Sequence, residues 1–147
     1  MDYSKLADEF LEHMHILRRL KPQRKLSESM HGEAFALHYI ATGGEQLIPS
    51  DISNAAGISG ARIATTLNSL ENKGYITRRI DPSDRRRILV TLTDKGRAQE
   101  EADRRKLMET IERMLTQLGE HDAKEYIRIT RKIAELSQCE DELRRNT

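Results

Sequence analysis

The stretch from Ile48 to Gly96 constrains this chain more than any other. Within it, Tyr75-Ile76-Thr77-Arg78-Arg79-Ile80 and Arg87-Ile88-Leu89-Val90-Thr91-Leu92 are β-branched, partly alternating runs, the pattern of two short strands. Asp81-Pro82-Ser83-Asp84-Arg85-Arg86 between them is a turn sequence whose proline pre-sets the backbone angle. The two runs predict a β-hairpin with five arginines between Arg78 and Arg87. Just before it, the segment from Pro49 to Ser59 predicts a short helix opened by Pro49 or Ser50, with Gly57 supplying a left-handed turn after it. Ser59 is placed to cap a further helix running to about Lys73, with Gly74 as its stop. Two short helices joined in this way are either an ordinary helical hairpin or a helix-turn-helix. The basic hairpin attached directly behind them decides for a helix-turn-helix, with the hairpin as its wing.

Helices flank this lobe. Tyr3, Leu6, Phe10, Met14, Leu17 and Leu20 recur at steps of three and four, which predicts an amphipathic helix ended by Pro22. A second helix is expected from about Ser29 to Ala41, carrying Phe35, Leu37 and Ile40 and stopped by Gly43-Gly44. After the wing, Thr93 is placed to cap a long helix whose face is Ala98, Ala102, Met108, Ile111, Leu115 and Leu118. Gly119 interrupts, Asp122 can cap again, and a last helix carries Tyr126, Ile129, Ile133, Leu136 and Leu143. The expected fold is mainly α with a small β-wing, a single domain over residues 1–147. Residues 29–96 form the winged helix-turn-helix lobe and 97–118 a long connecting helix, while 1–28 and 119–147 serve mainly as dimerisation helices.

Composition agrees. Of 147 residues, 37% are hydrophobic and 33% charged, which suits charge-coated amphipathic helices better than buried strands. The single cysteine, Cys139, excludes an internal disulfide framework and a four-cysteine metal cage. The acidic start MDYSKLADEF has no apolar core of a signal peptide, and no apolar run approaches membrane-spanning length, so a soluble cytoplasmic protein is expected. The formal charge of +1 conceals an uneven distribution: residues 48–96 hold eight Lys and Arg against five Asp and Glu. A local basic patch on a near-neutral chain is the footprint of a nucleic-acid binder.

In the second helix of the motif, Ile63, Leu67 and Leu70 share the face expected to point inward. The opposite face presents Arg62, Thr65, Thr66 and Ser69, with Ser59, Gly60 and Ala61 at the leading end. Recognition helices place their N-terminal residues against base edges in the major groove. Arg62 suits the O6 and N7 of guanine, with a phosphate contact as its other role. Arg78, Arg79, Arg85 and Arg87 are candidates for phosphate contacts or for flanking the groove.

The stretch GYITRRIDPSDRRRILVTLTDKG, Gly74 to Gly96, together with Leu70-Glu71-Asn72-Lys73-Gly74, resembles the multiple-antibiotic-resistance-regulator (MarR) family of winged helix-turn-helix transcription factors. The resemblance is specific from Ile48 to Gly96; the flanking helices match in number, length and position. It implies a homodimer with interleaved terminal helices, double-stranded DNA with an inverted-repeat operator as partner, and a regulator that is more often a repressor. It also implies that Asp84 orients Arg86, which enters the minor groove, where a narrow A·T-rich tract concentrates negative potential. Family members often carry an arginine where Thr65 stands, so their base preferences do not transfer. Most are released from DNA by a small, often aromatic molecule. By position, Met14, Leu17, Arg18, Met30, Phe35 and His38 are the candidates to line that cleft, and Arg18 and His38 among apolar groups would suit an anionic ligand.

Other chemistry is weakly represented. There is no phosphate loop, no GxGxxG and no HExxH, so no enzyme and no cofactor is expected. The five histidines include no pair at i, i+4 spacing, and His13 and His15 lie on different helix faces. No metal site is expected; because some relatives sense zinc, His31, His38 and an acid form the one alternative to weigh. Peroxide-sensing relatives use a cysteine in the first helix, which is absent here. The negative charges of Glu140 and Asp141 beside Cys139 disfavour its thiolate. The rival reading from another class is a winged helix that binds protein.

Overall fold

The computed structural model describes residues 2–145, and of residues 141–143 and 145 the backbone alone. Among the described residues there are seven helices and one two-stranded antiparallel sheet: α1 Tyr3–Leu17, α2 Lys21–His31, α3 Glu33–Thr42, α4 Pro49–Ala56, α5 Gly60–Asn72, β1 Ile76–Asp81, β2 Asp84–Leu92, α6 Asp94–Leu118 and α7 Glu120–Arg145. The chain forms two compact units that part within α6, between Met108 and Glu109.

In the first unit, α3, α4, α5 and the hairpin close around one core. Leu37, Ile52, Leu67, Leu70, Ile76 and Val90 are fully buried there, with Ala36, Ile40, Leu47 and Ile63 beside them. Ile63, Leu67 and Leu70 recur at steps of three and four, so one stripe of α5 supplies the inward face. The Val90 N–H donates to the Leu47 carbonyl at 2.8 Å, which ties the segment before α4 to the free edge of β2.

Three boundaries in this unit differ from the sequence reading. Pro22 does not end the first helix; α1 stops at Leu17 and Pro22 stands in the first turn of α2, where its missing N–H costs nothing. The single helix expected from Ser29 to Ala41 is two helices, because Gly32 takes an extended conformation (φ −94°, ψ −160°) between α2 and α3. The turn of the wing is also shorter. Asp81 already pairs with Asp84, so Arg85 and Arg86 belong to β2 rather than to the turn.

The second unit comprises the end of α6 and all of α7, joined at Gly119 (φ 81°). Helix α7 starts at Glu120 instead of after an Asp122 cap. No residue of α7 with a described side chain is buried, and Tyr126, Ile129, Ile133 and Leu136 are exposed; the Leu143 side chain lies outside the described residues. Helix α1 likewise buries nothing, with Tyr3, Leu6, Phe10 and Leu17 exposed. No helix of the described residues is long and apolar enough to cross a membrane.

Candidate nucleic-acid interface

Helix α4 ends at Gly57, whose φ of 63° is the left-handed turn that lets Ile58 N–H reach back to the Ser53 carbonyl at 3.1 Å. The chain then enters α5 through Ser59, whose hydroxyl accepts from the Arg62 N–H at 3.3 Å. With its apolar stripe buried, α5 turns Ala61, Arg62, Thr65 and Asn68 to the surface. The hydroxyls of Thr65 and Thr66 donate to the carbonyls four residues back, at 3.2 and 3.1 Å. That leaves their lone pairs and methyl groups for an incoming partner.

The far end of α5 is tied down. Ser69, expected on the outward face, is half-buried and turned toward α3, where its hydroxyl donates to Glu33 Oε1 at 2.7 Å. One residue earlier on the helix, Asn68 stands outward in its stead. Lys73 Nζ donates to Glu33 Oε2 at 2.6 Å, so one carboxylate at the start of α3 clasps a side chain of α5 and that of the residue capping its end. Burial pushes the Glu33 carboxyl up, but the bonds from Lys73 and Ser69 outweigh it and hold it below its ordinary value.

A test follows from that sign. A lowered folded-state pKa contributes stability above the unfolded value near 4.3, and the contribution is lost as pH falls through the folded value. Glu33→Gln is therefore expected to reduce urea stability at pH 7 by roughly 0.2–1 kcal/mol, as for other largely solvated pairs. The difference from wild type should shrink as the solution is acidified below pH 4. A difference independent of pH would assign the effect to packing.

The wing is built around two aspartates. Asp81, buried at its root, accepts from the Ser83 N–H at 2.9 Å and the Ser83 hydroxyl at 2.7 Å, which closes the turn. These bonds, with the Arg87 and Arg79 charges, hold its carboxyl below its ordinary value against the effect of burial. Arg87 Nη1 lies 3.5 Å from the other Asp81 oxygen. The strand register jumps between Ile80↔Ile88 and Asp81↔Asp84, so Arg85, Arg86 and Arg87 have no partner on β1 and bulge from the ladder together. Asp84 accepts from the Arg86 N–H at 3.0 Å and lies 3.4 Å from its Nε, while the Arg86 side chain is 93% exposed. Arg79 and Arg85 are exposed as well.

Arg78 behaves differently. Its Nε and Nη2 donate to Glu71 Oε2 at 3.0 and 2.5 Å, its N–H to Glu71 Oε1 at 3.2 Å, and its Nη2 to Asn68 Oδ1 at 2.7 Å. In this state it joins the wing to α5 instead of standing free for a phosphate. The sequence reading missed Glu33, Asn68, Glu71 and Lys73. Asn68 alone carried a local signal, three residues after Thr65 on the same helix face.

The six residues proposed to line a ligand cleft are not gathered into one cavity among the described residues. Met14 and Arg18 border a cavity of about 400 Å³ with Gln23, Arg24 and Ser27. Leu17 and Met30 are exposed. Phe35 stacks on Tyr39 with ring centroids 6.0 Å apart, and His38 Nδ1 meets Glu100 Oε1 at 2.8 Å. A second cavity of about 440 Å³, bordered by Lys25, Gly32, Glu33, Asp103 and Leu107, includes none of the six. His31 Nδ1 lies 3.1 Å from the Ser27 carbonyl, and no group of three His, Cys, Asp or Glu able to hold a metal exists among the described residues. Cys139 is exposed, and the Asp141 side chain beside it lies outside the described residues.

Known proteins share this arrangement. Residues 30–87 match the family model of the MarR family. The HTH-type transcriptional regulator YwhA of Bacillus subtilis (strain 168) is 29% identical over 141 residues, which cover 92% of this chain and all of that protein. MepR, a transcription regulator of the Staphylococcus aureus multidrug efflux pump MepA, superimposes with a TM-score of 0.65 at 26% identity, covering 92% of this chain and 99% of its own. The transcriptional repressor CouR, solved bound to a 23-mer DNA duplex, gives a TM-score of 0.58 at 28% identity over 67% of this chain and 70% of its own. The helix-turn-helix, the wing and these likenesses agree: residues 30–87 match the MarR family model, and the chain has the winged-helix fold of that family's transcriptional regulators.

Proposed function

We propose that this protein is a homodimeric, sequence-specific DNA-binding regulator of transcription that acts in the cytoplasm as a repressor on a pseudo-palindromic operator. The observation that carries the reading is the pairing of an outward, solvent-facing α5 with three bulged arginines on the wing behind it. Such a pair can engage both grooves: α5 with Arg62 against base edges, and Arg86, held by Asp84, in the minor groove. Arg79, Arg85 and Arg87 are suited to the phosphates. The DNA-bound state of CouR supports the same use here. Homodimerisation accounts for α1 and α7, whose apolar faces lack cover in one chain.

Release by a small, anionic or aromatic ligand fits the two cavities, whose volumes lie in the range of ligand sites. Glu33 borders one of them and also clasps Ser69 of α5 and Lys73 at its end. A ligand that binds better when this clasp is open would lower DNA affinity by the same differential. The role is one of recognition, as in the transcriptional regulators the chain resembles.

Selection of bound duplexes from random DNA, repeated with Arg86→Ala at two salt concentrations, tests the reading. The expected result is an inverted repeat, with affinity about tenfold or more weaker in the variant and a salt slope reduced by about one. Recovery of no motif, with binding indifferent to Arg86, would overturn it in favour of a protein-binding winged helix.

A further inference from the structure

We infer that Asn68 reads a guanine in the major groove, held in a donating orientation by Arg78; the inference rests on the DNA-binding role proposed above. Asn68 is exposed on α5, three residues after Thr65 and six after Arg62, so the three share the outward face. Its Oδ1 accepts from Arg78 Nη2 at 2.7 Å. A guanidinium only donates, so the amide must present its oxygen to Arg78; turned over, NH₂ would face N–H. Arg78 cannot yield easily, because Glu71 holds its Nε, its Nη2 and its backbone N–H together.

The consequence is a fixed outward group. The Asn68 amide nitrogen has no hydrogen-bond partner among the described residues and carries two donors. In the major groove guanine alone offers two acceptors, O6 and N7, with no donor. Asparagine ordinarily pairs with adenine, but that pairing needs the side-chain oxygen to accept from N6. Here the oxygen faces the wing. Wing and recognition helix thus act as one reading surface, in which a wing arginine sets the preference of a helix residue without touching the base.

The full chain and two variants test this in duplex selection, followed by titration of single-base operator variants. Wild type is expected to require a guanine at one position of each half-site, with other bases there bound about 5- to 150-fold more weakly. Asn68→Asp keeps an oxygen for Arg78 and removes both donors. It is expected to lose that guanine preference while other positions keep theirs, with thermal melting unchanged. Arg78→Met frees the amide to turn over and should move the preference at that position from guanine to adenine, a change that loss of structure alone would not produce. If wild type selects a motif that neither variant alters, the inference falls and the DNA-binding reading stands. If wild type selects no motif, both fall.

Discussion

Ile133→Asp combined with Leu136→Asp is expected to convert the proposed dimer, of twice the 16.9 kDa chain mass, to a monomer, and with it to remove high-affinity operator binding. Tyr126, Ile129, Ile133 and Leu136 follow a 3-4-3 spacing, the seam that paired helices bury. Ile133 and Leu136 are each 58% exposed in one chain. Burying the exposed part of both on both protomers is worth about 3.5–7 kcal/mol, from roughly 1.5–3 kcal/mol per fully exposed side chain that becomes buried. That is a large share of a nanomolar association, about 12 kcal/mol. Four carboxylates set into the seam would oppose association further. DNA affinity should then fall about 10²–10⁴-fold, because the second half-site is no longer held at high effective concentration. Sedimentation equilibrium checks the first claim and operator titration the second. A double variant that stays dimeric would place the interface elsewhere, on the exposed face of α1 first.

How much of this was legible in advance depended on the range of the interaction. Ser59, Gly57 and Thr93 act on backbone within a few residues, and their roles as cap, left-handed turn and cap are those their local sequence predicts. Pro22 shows where local chemistry is ambiguous. Proline both ends a helix before it and suits the first turn of the next, so the sequence leaves open which side of it is helical. The structure has helix after it, and an α2 that the reading lacked. The wing turn was drawn too long for a related reason: Arg85 and Arg86 lack strand propensity, yet they sit in β2, where the bulge leaves them without a partner on β1. Least legible were the clasps. Glu33 meets Ser69 and Lys73 across 36 and 40 residues, and no periodicity marks such partners. The outward face of α5 was placed correctly at Arg62 and Thr65, but its edge was set one residue too far, at Ser69 instead of Asn68.

Gly96→Ala is expected to destabilise the winged-helix unit by about 3 kcal/mol or more, at or beyond the upper end of ordinary overpacking costs. Gly96 stands in the first turn of α6 and is buried against the chain that links α5 to β1. A methyl group there would lie 1.9 Å from the Tyr75 carbonyl oxygen and 2.8 Å from its carbon. Both are backbone atoms, so no side-chain rotation relieves the clash. The same carbonyl accepts from the Thr93 N–H at 3.0 Å, while the Thr93 hydroxyl accepts from the Gly96 N–H at 3.0 Å and donates to the Gly74 carbonyl at 2.6 Å. Moving α6 away to admit the methyl would therefore break the cap and the junction of α5, wing and α6 together. The effect should reach function, since that junction sets where the wing stands relative to α5. Urea unfolding of the variant, beside the neighbouring exposed substitution Arg97→Ala as a control, measures the loss. A loss below about 1 kcal/mol, within the range of unremarkable substitutions, would mean that the start of α6 shifts freely, and the wing would then be positioned by the Arg78–Glu71 pair, the Val90–Leu47 bond and the packing of Ile76 and Val90 in the core.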